Sequence, residues 1–279
     1  MNSLKITVLV ENTAGKLGVL AEHGLAFLIE ASGEKILFDT GQGFVLKHNL
    51  DRLGIHLTDV KTVAISHGHY DHTGGLADAL SMMSNPMIYA HPAAAKPKFG
   101  RNTNGSSRFI GISEFNKDAL IHSNWIRTTE QTELPGGLHL TGPIPRIASF
   151  ENTGGPFYLD TDCTNPDLIE DDQAAFIETG HGTVVILGCA HAGVINTLRY
   201  IQNLTDNRPI HTVIGGMHLH RASEKRMKRT VTALRELNVH RIFPCHCTGF
   251  DAAARLANEL PGHVSTCPVG TILSMGEDS

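Results

Sequence analysis

The stretch SHGHYDHTGG at residues 66–75 grows out of the short apolar run TVAIS at 62–66. Such a run predicts a buried strand, and the glycines after it predict a turn at the strand's end. Four groups able to ligate a metal, His67, His69, Asp71 and His72, fall within six positions there. His67 and His69 stand two apart, so in extended backbone they project to one side and can reach one ion. Asp71 and His72 come as the chain turns into the next helix, where they can serve a second ion close by. Imidazole suits Zn, Fe, Ni and Cu, while a carboxylate adds charge and admits harder ions. Any one of these histidines alone reads as a cap or a solvent-exposed side chain. Four ligands together, with glycines, are not explained by packing.

Upstream of this cluster, β-branched runs at 5–11, 25–30 and 35–39 are separated by Gly-containing turns and predict an antiparallel meander. Downstream, a helix is expected over 75–83 and a strand over 87–90. From 91 to 172 the periodicity fades into Gly, Asn, Thr, Ser and Pro. That predicts a long loop-rich insertion, serving either as a substrate lid or as a mobile surface excursion. Regular alternation then returns, with strands at 174–178 and 183–188, a helix at 193–204, a strand at 211–215, a helix at 223–237, a strand at 241–244 and a helix at 251–260. Met227, Val231, Leu234 and Leu237 form one apolar stripe, and Ser223 is a credible N-cap. No linker divides the chain, so residues 1–279 are expected to form one α/β (α+β) domain carrying the insertion.

The 17 histidines outnumber the 11 Phe and the 4 Tyr, which invites a search for further ligands. His191 follows the run TVVILGC and His246 follows RIFPC, both at the C-terminal ends of expected strands, where sites form in α/β sheets. His191 also reads as a first-turn helix residue, but Ala190, Ala192 and Gly193 leave room for a metal beside it. In extended backbone His246 points away from Cys245 and Cys247, and those thiols read as small buried apolar groups. His218 either touches substrate or hydrogen-bonds a backbone carbonyl. His23, His48, His56, His122, His139 and His263 have no supporting context and read as surface or structural residues.

SHGHYDH resembles the His-x-His-x-Asp-His signature of the metallo-β-lactamase superfamily, and FDTG at 38–41 is similar to its usual lead-in. LGCAHAG at 187–193, GGMHL at 215–219 and PCHCTG at 244–249 narrow the resemblance, with EHGLAFLIE at 22–30 and TGPIPR at 141–146. They resemble the branch named for a methanogen dihydropterin ribofuranosylaminobenzene phosphate synthase, most of whose members are known only as metal-dependent hydrolases. The resemblance implies a four-layer αββα sandwich with a dinuclear site at one edge. It implies that His67, His69 and His191 hold one divalent ion and that Asp71, His72 and His246 hold the other, with Zn expected first and Fe, Mn or Mg as alternatives.

Many members of the superfamily have a further His before the strand that here spans 183–188, and an Asp at its end that bridges the ions. The bridging position here aligns with Cys189. Either Cys189 or His191 takes over from the missing group, or the second metal is held more weakly, and a strand-end Cys after VVIL reads more readily as core than as metal bridge. The implied activity is hydrolysis of a small, anionic phosphate ester or related substrate by a water activated at two ions, oriented by Asp71. The alternative is a transferase that joins a dihydropterin, from its pyrophosphate, to an arylamine phosphate. His218 and Arg146 are candidate substrate contacts, although an arginine of this kind is commonly a solvated surface group.

Composition excludes several classes. With 23 Lys+Arg against 28 Asp+Glu, the net charge of -5 gives no basic field for nucleic acid. At 41% hydrophobic and 18% charged, the chain reads as folded and not disordered. No apolar run approaches the roughly 20 residues that cross a bilayer, and the N-terminal MNSLKITVLVENTAG lacks the features of a signal peptide. Five cysteines, an odd number, read as thiols in a reducing compartment. A cytoplasmic protein acting on a small molecule is expected, without nucleic-acid or membrane partners. The sequence carries no signal of oligomeric state.

Overall fold

The computed structural model describes residues 3–275. The chain opens with strands β1 (Leu4–Val10), β2 (Ala26–Ala31) and β3 (Glu34–Phe38), paired antiparallel as the expected meander. Helix α1 (Leu46–Leu53), strand β4 (Thr62–Ala64), helices α2 (Tyr70–Thr73) and α3 (Leu76–Ser81) and strand β5 (Met87–Ala90) follow. The middle of the chain holds β6 (Phe99–Arg101), β7 (Ser107–Phe109), α4 (Glu114–Ile121), β8 (Asn124–Arg127), β9 (Thr132–Leu134), β10 (Leu138–Leu140) and β11 (Phe157–Tyr158). The last third runs β12 (Ala175–Thr179), β13 (Gly182–Leu187), α5 (Val194–Leu204), β14 (Ile210–Gly216), α6 (Glu224–Glu236), β15 (Arg241–Cys245), α7 (Phe250–Glu259) and β16 (Ile272–Met275).

Two large sheets carry the architecture, one of seven strands in the order β16-β1-β2-β3-β4-β5-β8 and one of six in the order β15-β14-β13-β12-β10-β9. Alternation along each strand decides which side chains meet. Ile6, Phe27, Ile36 and Phe38 from the first sheet pack between the sheets against Ile177, Val184, Ile186 and Phe243 from the second. Their neighbours face outward. Leu28, Leu37 and Val63 pack under α1 and α3, while Val185, Leu187 and Val213 pack under α5, α6 and α7. Period-two strands with both faces buried therefore give four layers, helix, sheet, sheet and helix.

The expected apolar stripe of α6 buries Met227, Val231 and Leu234, and Ser223 caps it by accepting the Arg226 N–H at 3.2 Å. The segment 91–172, read as a loop-rich insertion, also carries short paired strands. Within it β8 extends the first sheet, β9 and β10 complete the second, and β6, β7 and β11 form a small third sheet. Strands of two to four residues are too short for alternation to register in sequence, so their pairing partners, not their own pattern, define them.

Strands β3, β4 and β5 run parallel, as do β13, β14 and β15, and the chain leaves β4, β13, β14 and β15 at one common edge. His67, Cys189, His218 and His246 lie just beyond those four ends. Asp39, Ala190, His218 and His246 all have left-handed φ there, between 47° and 57°. Such conformations are costly away from glycine and concentrate where surrounding structure fixes a site.

Candidate metal centre

The two imidazoles that the sequence pairs do converge, with His67 Nε2 2.9 Å from His69 Nδ1. Across the strand ends, donor atoms of His67, Cys189 and His191 lie within 4.8 Å of one another, and so do those of His72, Cys189 and His246. Cys189 belongs to both groups, and its sulfur is 3.1 Å from His72 Nε2. Asp71 joins the second group, with Oδ2 3.4 Å from His246 Nε2.

The histidine rings are held from behind. Nδ1 of His72 donates to Oδ2 of Asp39 at 2.7 Å, and Nδ1 of His191 donates to the Thr153 carbonyl at 2.7 Å. Ser66 Oγ donates to Asp39 at 2.7 Å and lies 2.9 Å from Nδ1 of His67. Nδ1 of His246 is 2.9 Å from Asn12 Oδ1, while its backbone N–H donates to Glu11 at 2.7 Å. Acceptors that hold the proton on Nδ1 turn a lone pair on Nε2 toward the centre, the usual outer support of a metal-ligating histidine. Nε2 of His69 and of His191 are buried and have no hydrogen-bond partner. Buried nitrogens without partners are costly, and a cation is what such converging lone pairs accept. The donor set therefore fits divalent metal.

Electrostatics divide the centre into two halves. Burial pushes His69 down to about 3 and also drives His67 and His191 well below their ordinary values, so these three rings are neutral, as ligation requires. Burial also opposes charge on His72, but Asp39 and Asp71 outweigh it and hold that pKa up at about 9. Asp71 lies well below the carboxylate range, since His72, His23 and His246 outweigh its burial. The half around Asp71 thus carries the charge, and ligation through His72 requires that its ring give up a proton.

Several side chains differ from their sequence reading. His23 reads as a residue without context, but its Nε2 is 3.1 Å from Asp71 Oδ2, and it forms a group with Asp71 and His246. Cys189 is buried, as a core residue would be, yet its sulfur faces both histidine groups. His246 does not sit in extended backbone, because β15 ends at Cys245 and a turn of 3₁₀ helix begins. Cys245 packs between the sheets, while Cys247 faces Cys189 and His218. The Arg146 guanidinium donates to the carbonyls of His191, at 2.7 Å, and Leu168, so backbone engages it. His218 borders the centre, with its Nδ1 buried without a hydrogen-bond partner and its ring 4.4 Å from that of His191.

Sequence alone gives no sign of the buried triad behind the HGH turn. Lys98, only 1% exposed, lies 2.9 Å from Asp167 and 2.7 Å from Asp171, whose other oxygen accepts the Gly68 N–H at 2.6 Å. These ions tie the middle segment to the turn. Phe157 of β11 completes the wall, with ring centroids 5.2 Å from His69 and 5.3 Å from His191.

The metallo-β-lactamase superfamily model matches residues 20–149, which include the HGHYDH turn. A solved metal-dependent hydrolase of the β-lactamase superfamily is 32% identical, with a TM-score of 0.84 over 98% of this chain and all of its own. The chain belongs to the metallo-β-lactamase superfamily. Within that superfamily, it is 28% identical over 98% of its length to the 7,8-dihydropterin-6-methyl-4-(β-D-ribofuranosyl)-aminobenzene-5'-phosphate synthase of Methanocaldococcus jannaschii, covering 97% of that protein. It is 32% identical over 93% of its length to an uncharacterized protein of the same archaeon, again covering 97%. A diphosphatase of the PhnP family shares the fold at a TM-score of 0.59 and 14% identity. Divalent metals serve the superfamily, and no described helix is long and apolar enough to cross a membrane.

Proposed function

We propose that the protein is a hydrolase with a dinuclear metal centre. His67, His69 and His191 hold one ion, Asp71, His72 and His246 hold the other, and Cys189 stands between them. The observation that carries this reading is the sharing of the Cys189 sulfur by two groups of histidine donors. Imidazole and thiolate donors favour Zn, with Fe, Mn and Mg as alternatives. The chemistry supplied by two such ions is a lowered pKa for water and polarisation of the bond it attacks.

The chain's own residues do the rest. Asp71, ionised and paired with His23, orients the attacking water. Phe157 and the buried turn exclude bulk water from the His69 side. His218 borders the centre on the other side and contacts the substrate. A small, anionic phosphate ester is the substrate class this arrangement suits. The five cysteines are all free, which supports a reducing, cytoplasmic setting, and residues 1–279 act as one unit.

Similarity to the archaeal synthase along 98% of the chain favours a second reading, transfer of a dihydropterin from its pyrophosphate to an arylamine phosphate. One experiment separates the two. The metal-loaded protein is given a panel of phosphate mono- and diesters, and then a dihydropterin pyrophosphate with and without an arylamine phosphate. Ester hydrolysis without any amine supports the first reading, and amine-dependent pyrophosphate release supports the second. Turnover of neither class contradicts both.

A further inference from the structure

Beyond His218 the centre gives onto a separate cavity of about 410 Å³, lined by Phe150, Asn152, His218, Arg221, Ser223 and Arg226 among others. Arg226 is 4% exposed. Its Nη1 donates to Asn152 Oδ1 at 2.8 Å, but its buried Nε and Nη2 have no partner. The adjacent acid does not satisfy them: the Glu151 carboxylate instead accepts the N–H groups of Ile195, at 3.0 Å, and Asn196, at 2.8 Å, and caps α5. A buried guanidinium with free donors in a cavity wall is expensive unless an anion meets it.

Other groups in the same wall have the matching sign. Ala222 and Ser223 bring the start of α6, a helix of 13 residues, to the cavity, and its first amides carry partial positive charge. Arg221 adds a second, exposed cation. The nearby carboxylate of Glu224 is turned aside, with Oε1 2.8 Å from Nη2 of Arg255. Two guanidinium groups and a helix start offer more donors and more charge than one carboxylate needs, and they suit a tetrahedral dianion. The strap at 151–155 couples cavity and centre, since Asn152 receives Arg226 and the Thr153 carbonyl receives His191.

We propose that this cavity binds a phosphate monoester group of the substrate that does not itself react, held by Arg226, Arg221 and the first turn of α6, one imidazole away from the metal centre. The proposal rests on the reading of that centre as a hydrolytic site, because it assigns the scissile bond to the metals and the anchor to the arginines. The substrate is then a compound with a terminal phosphate at one end and the reactive bond at the other.

Calorimetric titration of the metal-loaded protein with inorganic phosphate tests this without turnover. A binding event separate from phosphate ligation at the metals is expected in the wild type. Arg226→Gln should weaken it roughly tenfold or more, the scale on which charge-assisted hydrogen bonds act. Arg221→Ala, an exposed change that spares the fold, should weaken it severalfold. Metal content should stay unchanged in both, acetate should not compete, and binding should survive in Asp71→Asn. Undiminished affinity in both arginine variants, no binding in the wild type, or loss of binding in Asp71→Asn would overturn the proposal. Phosphate binding that depends on the arginines in a protein without hydrolytic activity would count against the reading of the centre alone.

Discussion

The buried carboxylate of Asp39 accepts a hydrogen bond from Nδ1 of His72 at 2.7 Å. Through Ser66 the same carboxylate also orients His67, so one side chain at the end of β3 sets rings in both halves of the centre. Outer partners of this kind typically change metal affinity by roughly 10–100-fold when removed. Asp39→Asn is expected to weaken metal binding on that scale, read by competition with a chromogenic chelator. Wild-type affinity in this variant would show that the rings orient themselves.

Cys189 offers a sharper test, because a metal-bound thiolate is deprotonated and shielded. Burial, with Cys247, Asp71 and Asp172 adding to it, pushes the Cys189 thiol well up. An alkylating reagent should therefore leave Cys189 unmodified in the metal-loaded protein, and Cys189→Ala should lose metal. Cys245→Ala, which removes an equally buried sulfur from between the sheets, should keep it. Equal metal content in the two variants would return Cys189 to the core residue that its place after VVIL suggests.

Gly68 allows the turn to pass close to its neighbour: a Cβ there would sit 2.1 Å from the Ala94 carbonyl oxygen. Backbone cannot yield as a flexible side chain does, so Gly68→Ala should displace His67 and His69. Metal affinity should fall while far-ultraviolet circular dichroism stays that of the wild type. Unchanged affinity would mean that the turn has slack.

The Lys98 triad governs acid stability. Burial would raise the Asp171 carboxyl, but Lys98 and the Gly68 N–H outweigh it and hold it below its ordinary value. A depressed carboxyl contributes stability that is present above the unfolded value, about 3.9, and is lost as pH falls through the lower folded value. The wild type should therefore lose this contribution only below about pH 4. Lys98→Met leaves two buried carboxylates unpaired and should cost about 3–5 kcal/mol near neutral pH. Because burial then raises Asp171, that deficit should shrink as the pH is lowered. Thermal melts across the acid range check both statements, and a deficit that grows toward acid would contradict them.

The parts of the fold that were legible in sequence are those with local pattern. The opening meander, the α6 stripe with its Ser223 cap and the HGHYDH turn each announce themselves by a pattern local in the chain. β8, β9 and β10 do not, because strands of three or four residues are defined by partners far away in sequence. The same holds for the site. His67, His69, Asp71 and His72 stand together in the chain, and His191 and His246 follow from strand ends. His23 reaches Asp71 only because the loop after β1 folds across the α2 turn, and Arg226 reaches its cavity only through helix packing. The two carbonyl acceptors of Arg146 are irregular backbone that no side-chain pattern marks.

Elemental analysis of protein that has never met a chelator tests the central claim most directly. The account predicts two divalent ions per chain, falling together with activity when a strong chelator is added and returning with added metal. Well under one ion per chain, or full activity after the metal is gone, would contradict it.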